Sequence, residues 1–348
     1  MKILYGVQGT GNGHITRARA MSTRLSEVGM DVDYLFSGRD NSKYFSMEPF
    51  GDYQTRRGLS FATDKGQINY FRTCISNSLW QFWRDVSALD LSHYDLVLND
   101  FEPVSAWAAK RQGIPSISIS HQNAFRYSVP LKGASWLDKQ VIEHFAPADH
   151  LIGLHWYHFD QPILPPIIHM HKANAEQEAF ILVYLPFESM TDITELLLRF
   201  TTEHFVCYHP EIIEPKTIDN IEFTPLGVSS FQRHLIRCKG VIANGGFELP
   251  SEALTLGKKL LLKPLMGQFE QMSNVATLED LGLATSMEFL DASVVRSWLD
   301  ESSAESVNYP DVAQAIVTWI KQGNWEDKSA LSESLWDKVD FPSYVSNR

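Results

Sequence analysis

At 348 residues the chain is too long for one ordinary hydrophobic core and suits two domains of average size. Its 44% hydrophobic and 21% charged residues are ordinary for a folded protein, and a formal net charge of −12 argues against general nucleic-acid binding, because the molecule repels phosphate backbones. Cys74, Cys207 and Cys238 lie far apart without a CxxC pair, which argues against a disulfide framework and a zinc ribbon.

The N-terminus reaches glycines before a signal-peptide core could form, and no apolar run approaches the roughly 18 residues that span a bilayer. The expectation is a cytoplasmic protein, touching a membrane at most peripherally on its inner face. Lys2–Val7 reads as a strand, Gln8–Gly13 as a turn-rich loop and Ile15–Val28 as a helix. Val32–Ser37 is a second strand, Ile68–Leu89 a long aromatic helix, Asp95–Asn99 a buried strand, Val104–Arg111 a helix and Ser116–Ser120 a strand. Strands alternating with helices imply a parallel sheet covered on both faces. A Pro-rich, polar stretch over residues 160–178 reads as an interdomain connection.

The pattern then restarts. Strands are expected at Phe180–Leu185, Phe205–Tyr208, Ile221–Phe223, Val241–Ala243 and Leu260–Lys263. Helices are expected at Ile193–Phe200, Phe231–Cys238, Leu249–Leu256, Glu270–Leu281, Ser293–Leu299 and Asp311–Lys321. The fold class is therefore α/β, with two Rossmann-like, doubly wound domains over residues 1–168 and 178–324 facing a cleft at the carboxyl ends of their strands. By analogy with that fold, a last segment, 325–348, packs back on the N-terminal domain.

The loop from Gln8 to His14 decides between chemistries. It lacks the Lys and hydroxyl of a P-loop, since His14 and Ile15 stand there. Its glycines alternate as GxGxG, and the second strand ends without a ribose-binding carboxylate, so hydride transfer is not expected. What remains is a loop (Gly11, Asn12, Gly13) that brings bare backbone to a ligand and presents His14 at a helix start. The dipole there disfavours the imidazolium, leaving an imidazole able to take a proton from an acceptor hydroxyl. A helix-capping or structural histidine is the bland alternative. Asp100, on the same sheet edge, could orient His14 or cap the next helix, with Glu102 as its substitute and His121 as a second candidate base.

Downstream, Gly245, Gly246 and Phe247 fall where a strand turns into a helix, and free amides there suit a diphosphate. Glu252, inside that helix, could accept from both ribose hydroxyls or be an exposed helical acid. Glu270 and Gln271 open the next helix and offer paired donors and acceptors to sugar hydroxyls. This run resembles the donor signature of GT-B glycosyltransferases of the MurG and UDP-glycosyltransferase kind: a glycine pair, a glutamate six residues on, a proline (here Pro264), and an acid/Gln pair before an asparagine (here Asn274). The likeness extends over nearly the whole chain and is nearest to a little-characterised prokaryotic family often labelled teichoic-acid-biosynthesis-like.

The resemblance implies a hexosyl transfer with inversion and without metal or cofactor, the nucleotide sugar, UDP-linked by expectation, being a cosubstrate. It gives Glu252 to the ribose, Gly245 and Gly246 to the diphosphate, Glu270 and Gln271 to the donor sugar, His14 to proton abstraction, and Gly227–Phe231 to the nucleotide base. Two features depart from it: Asn244 replaces a histidine, and Glu248 and Leu249 stand where a small polar pair is usual, so that Glu248 would repel the diphosphate unless it points away. A nucleotide-sugar 2-epimerase and a non-catalytic nucleotide-sugar-binding protein are the alternatives. Tyr70, Phe71, Leu79, Trp80, Phe82 and Trp83, with Arg56, Arg57, Lys65 and Arg72 nearby, read either as a surface for a lipid-linked acceptor or cell-envelope glycan, or as a core helix with surface cations. The histidines 144, 150, 155, 158, 169 and 171 lack metal-site spacing, so no metal is expected.

Overall fold

The computed structural model describes residues 1–59, 78–169 and 176–345, together with two short strands inside 60–77. Tyr70, Phe71, Lys65, Arg72, Cys74 and His171 lie outside the described residues.

The N-terminal sheet starts with β1 (Lys2–Gln8), β2 (Asp31–Ser37) and β3 (Gln54–Arg56). A separate antiparallel pair follows, β4 (Thr63–Asp64) with β5 (Gln67–Ile68). The main sheet is completed by β6 (Leu96–Asp100), β7 (Ser116–Ser120) and β8 (His150–Gly153). Its strands run parallel in the order β3-β2-β1-β6-β7-β8. Ile3, Leu4, Leu96, Val97 and Leu98 are all fully buried, as expected of continuous apolar runs covered by helices on both faces. Those helices include α1 (Asn12–Glu27), α2 (Leu79–Ala88), α3 (Pro103–Gln112) and α4 (Trp136–His144). The aromatic helix is shorter than the sequence suggests. Ile68 belongs to β5, and α2 begins at Leu79, where the Ser78 side chain accepts from the Gln81 amide.

The C-terminal sheet contains β9 (Phe180–Tyr184), β10 (His204–Tyr208), β11 (Lys216–Ile218), β12 (Ile221–Thr224), β13 (Gly240–Asn244), β14 (Lys259–Lys263) and β15 (Thr285–Ser286). Its order is β11-β12-β10-β9-β13-β14-β15, with only β11 antiparallel to its neighbour among the described pairings. Helices α5 (Met190–Leu197), α6 (Val228–Arg237), α7 (Glu248–Thr255) and α8 (Phe269–Asp280) connect these strands, and α9 (Ala292–Asp300) follows the last of them. Helices α10 (Val312–Gln322) and α11 (Ser329–Trp336) close the chain. Ser332 Oγ and Trp336 Nε1 both donate to the carbonyl of Ile163, each at 2.7 Å, and Lys328 Nζ donates to Leu151 O.

Each sheet has one place where neighbouring strands send their connections in opposite directions. After β1 the chain turns to β2, and after β6 to β7. After β9 it turns to β10, and after β13 to β14. Loops diverge at such a switch point and open a crevice beyond the strand ends. The register sets Val7 beside Asp100, so the loop carrying His14 leaves the sheet next to that carboxylate. The two lobes also share buried packing: fully buried Trp156 donates its Nε1–H to Ser251 Oγ of α7 at 2.8 Å, and His121 stacks on Phe247 with centroids 3.9 Å apart.

Candidate active site

At the first switch point His14 Nδ1 lies 2.8 Å from Asp100 Oδ1. Asp100 is fully buried and also receives a fork from Arg17, with Nε 2.7 Å from Oδ2 and Nη2 2.8 Å from Oδ1. Burial alone would raise the Asp100 pKa, but Arg17 and then His14 outweigh it and hold the carboxyl below its usual range. Glu102, not Asp100, caps α3, accepting from Val104 N at 2.8 Å and Ser105 N at 2.6 Å. His14 caps nothing: the N-cap of α1 is Gly11, without a side-chain hydrogen bond. His121 is enclosed instead, with Nδ1 2.8 Å from Leu154 O and Nε2 2.6 Å from Asn274 Oδ1, so its ring cannot reach an incoming hydroxyl.

Arg17 was not among the residues the sequence singled out. It stands one turn after His14 on the same face of α1, is 2% exposed, and directs its remaining Nη1 to Glu248 Oε1 in the other lobe. Glu248 thus points at a cation, which answers the concern that it faces a diphosphate. Burial pushes its pKa up, Arg17 pulls it down and Asp100 pushes it up again, ending at about 7. The contact is close along the backbone as well. A Cβ added to Gly13 would meet Glu248 Cγ at 3.0 Å, so a side chain there would press directly on the carboxylate arm.

On the C-terminal side, the glycine pair differs from its expected form. The Gly245 and Gly246 amides are not free: Gly245 N–H donates to Lys263 O at 3.2 Å and Gly246 N–H to Asn244 O at 2.8 Å. Gly245 is needed for close packing, because a Cβ there would lie 2.7 Å from Val275 and 2.9 Å from Gln271 O. The amides of Phe247, Glu248 and Leu249 are those that α7 leaves without acceptors inside the helix, since its N-cap, Phe247, supplies no side chain. Helix α6, entered from Gly227, and helix α8, entered from Gln268, likewise begin without a side-chain cap. An anion seated at these starts would satisfy them.

Asn12, Gly13, Arg19, Tyr184, Phe231, Glu248 and Glu252 line a cleft between the lobes, together with Leu226, Gly227 and Val228. It holds about 780 Å³ of non-protein space, open solvent at its mouth included. Glu252 is 6% exposed, and its Oε1 has no hydrogen-bond partner. Burial, with the Glu248 charge four residues away, pushes its pKa up to about 8, against a smaller opposite pull from Arg19. A buried carboxyl with an unmet oxygen beside an open cleft needs a ligand's hydroxyl or water. Glu270 and Gln271 lie outside that cleft lining, as do His14 and Asp100, whose neighbours Asn12, Gly13 and Ile15 belong to it. Gln122 Nε2 reaches both Glu270 carboxylate oxygens at 3.2 Å, and Gln271 Oε1 accepts from Leu265 N at 2.9 Å.

Among the described residues no group of three or more His, Cys, Asp or Glu is arranged to hold a metal, and no helix is long and apolar enough to cross a membrane.

Comparison with known proteins follows the same lines. The family described as glycosyl transferase family 1 matches residues 1–302. No curated protein matches the chain. Among solved structures, the chain is similar to the glycotransferase of kitacinnamycin, with a TM-score of 0.60, 12% identity, and 97% of this chain and 99% of that one covered. TcCGT1 in complex with UDP aligns with a TM-score of 0.59, 12% identity, and 99% and 97% covered. The glycosyltransferase SsfS6 of Streptomyces sp. SF2575, complexed with thymidine diphosphate, gives 0.57 and 13%, with 96% of each chain covered. At these identities the likeness is one of fold, and the fold is GT-B.

Proposed function

Because the chain belongs to glycosyl transferase family 1 and is a glycosyltransferase, we propose that it transfers a sugar from a nucleoside-diphosphate donor to an acceptor hydroxyl with inversion and without a metal. The observation that carries this reading is the His14–Asp100 pair, tied through Arg17 to the start of the donor-lobe helix α7. With the proton assigned to Nδ1 and donated to Asp100, His14 Nε2 is the basic nitrogen. It takes the acceptor's hydroxyl proton while the acceptor oxygen attacks the anomeric carbon. The bond from that carbon to the diphosphate oxygen breaks, and its electron pair leaves with the nucleoside diphosphate.

The leading amides of α7 would meet the charge developing on the leaving group, the favourable end of the helix dipole facing it. Glu252 would grip the ribose hydroxyls with its unpartnered oxygen, and the backbone at Gly227 and Val228 would meet the base. UDP is the expected donor nucleotide, a reading supported by the neighbour solved with UDP bound.

His14→Ala is expected to lower kcat by about 100-fold or more, the usual worth of a general base, while UDP still raises the melting temperature. Undiminished turnover in a panel of UDP-sugars would refute the base assignment. For the acceptor, the outward face of α2 supports a lipid-linked or similarly apolar molecule, because Leu79 is 64% and Trp80 71% exposed, with Arg84 over the Trp80 ring. The protein is expected to co-sediment with anionic vesicles, and Trp80→Ser to lose most of that binding. Equal sedimentation of the two proteins would argue against a lipid-facing role.

A further inference from the structure

Glu248 belongs to the donor lobe, yet its carboxylate ends on the acceptor-lobe machinery. Arg17 uses three nitrogens: Nε and Nη2 donate to Asp100 and Nη1 to Glu248, and Nη2 also lies 3.0 Å from His14 Nδ1. A planar guanidinium that meets two carboxylates must fit both at once, so Glu248 and the Asp100 fork together fix the plane of Arg17. Asp100 in turn offers Oδ1 to His14. The other charged groups acting on Glu248 among the described residues are Asp100 and His14, while Glu252 and, beside it, Arg19 line the same cleft. The packing leaves little slack, since Gly13 lies against the Glu248 side chain and Arg17, Asp100 and Glu248 are all buried.

The charges tell the same story. With His14 neutral, the cluster of Asp100, Arg17 and ionised Glu248 carries one surplus negative charge. When His14 takes a proton the cluster becomes neutral. A second carboxylate from the donor lobe, when ionised, therefore favours the protonated state that the transfer creates; burial raises the Glu248 pKa to about 7, so near neutral pH its charged and neutral forms are both present.

We propose that Glu248 is a positioning residue of the donor lobe, acting through Arg17 to orient the His14–Asp100 pair, so that the proton acceptor is fully assembled only across the cleft. This rests on the reading of His14 as the base, but its physical content is the coupling of the two lobes at that histidine.

The test follows the His14 ring by nitrogen-15 NMR in the full-length protein without ligand, its signals identified by their absence in His14→Ala. The cluster shares protons, so the observed midpoint belongs to the group as a whole. Glu248→Gln removes both the surplus charge and the anchor on Arg17, with little change in volume, and is expected to move the midpoint down by about one pH unit. Glu248→Asp keeps the charge but falls one carbon short of Arg17, and is expected to move it the same way by less. Arg17→Lys keeps the charge without the fork, so in that background Glu248→Gln retains only its direct electrostatic part and is expected to have a markedly smaller effect. A midpoint identical in the parent, Glu248→Gln and Glu248→Asp overturns the proposal. So does a full-sized Glu248→Gln effect in the Arg17→Lys background, which would mean direct electrostatics without positioning. These measurements need no substrate, so they stand or fall separately from the loss of transfer in His14→Ala.

Discussion

Glu252 keeps its proton up to about pH 8 in the folded chain, against an ordinary value of 4.5. An acid whose folded pKa is raised contributes stability that is whole below the ordinary value and is lost as pH climbs through the raised one. The parent protein therefore loses this contribution between about pH 5 and about pH 8.5, whereas Glu252→Gln, always neutral, has none to lose. The melting temperature of Glu252→Gln minus that of the parent is expected to rise across this range by at least about 1 °C, the effect of roughly 1 kcal/mol in a chain of this size. A difference constant with pH would show that Glu252 is not buried in the way described. The same strain explains its suitability for a ligand: a carboxyl that folding leaves with an unmet oxygen gains most from a diol brought to it.

At the scale of elements, most of what positions the site was legible. The regular strands, including Lys2–Gln8, Leu96–Asp100 and Gly240–Asn244, stand where continuous apolar runs predict them, because such runs must be covered on both faces. The glycine loop and His14 were readable from spacing, and Asp100 from its place at a strand end. Arg17 was not, because its meaning depends on Asp100 and Glu248, which are 83 and 231 residues away and are brought to it only by the fold. A basic residue one turn after a candidate catalytic histidine was the available signal. The free amides expected at Gly245 and Gly246 were misjudged for a related reason. Sequence places a glycine pair at a strand-to-helix turn, but only the sheet edge reveals that Lys263 O and Asn244 O already take those N–H groups. The short helix Trp136–His144 and the strand His150–Gly153 were missed because neither carries a long periodic pattern.

At the scale of the molecule, two sheets present their switch points to one crevice, and buried contacts through Trp156, His121 and Phe247 hold the lobes in register. That register brings Arg17 and Gly13, the neighbours of His14, against Glu248 at the uncapped start of the other lobe's helix. The most direct measurement is the crystal structure of this protein with UDP bound. The ribose hydroxyls are predicted to meet Glu252 and the diphosphate to lie on the amides of Phe247, Glu248 and Leu249, with His14 facing the end where a sugar would be attached. UDP seated away from Glu252, or with its diphosphate turned from the start of α7, would contradict the account.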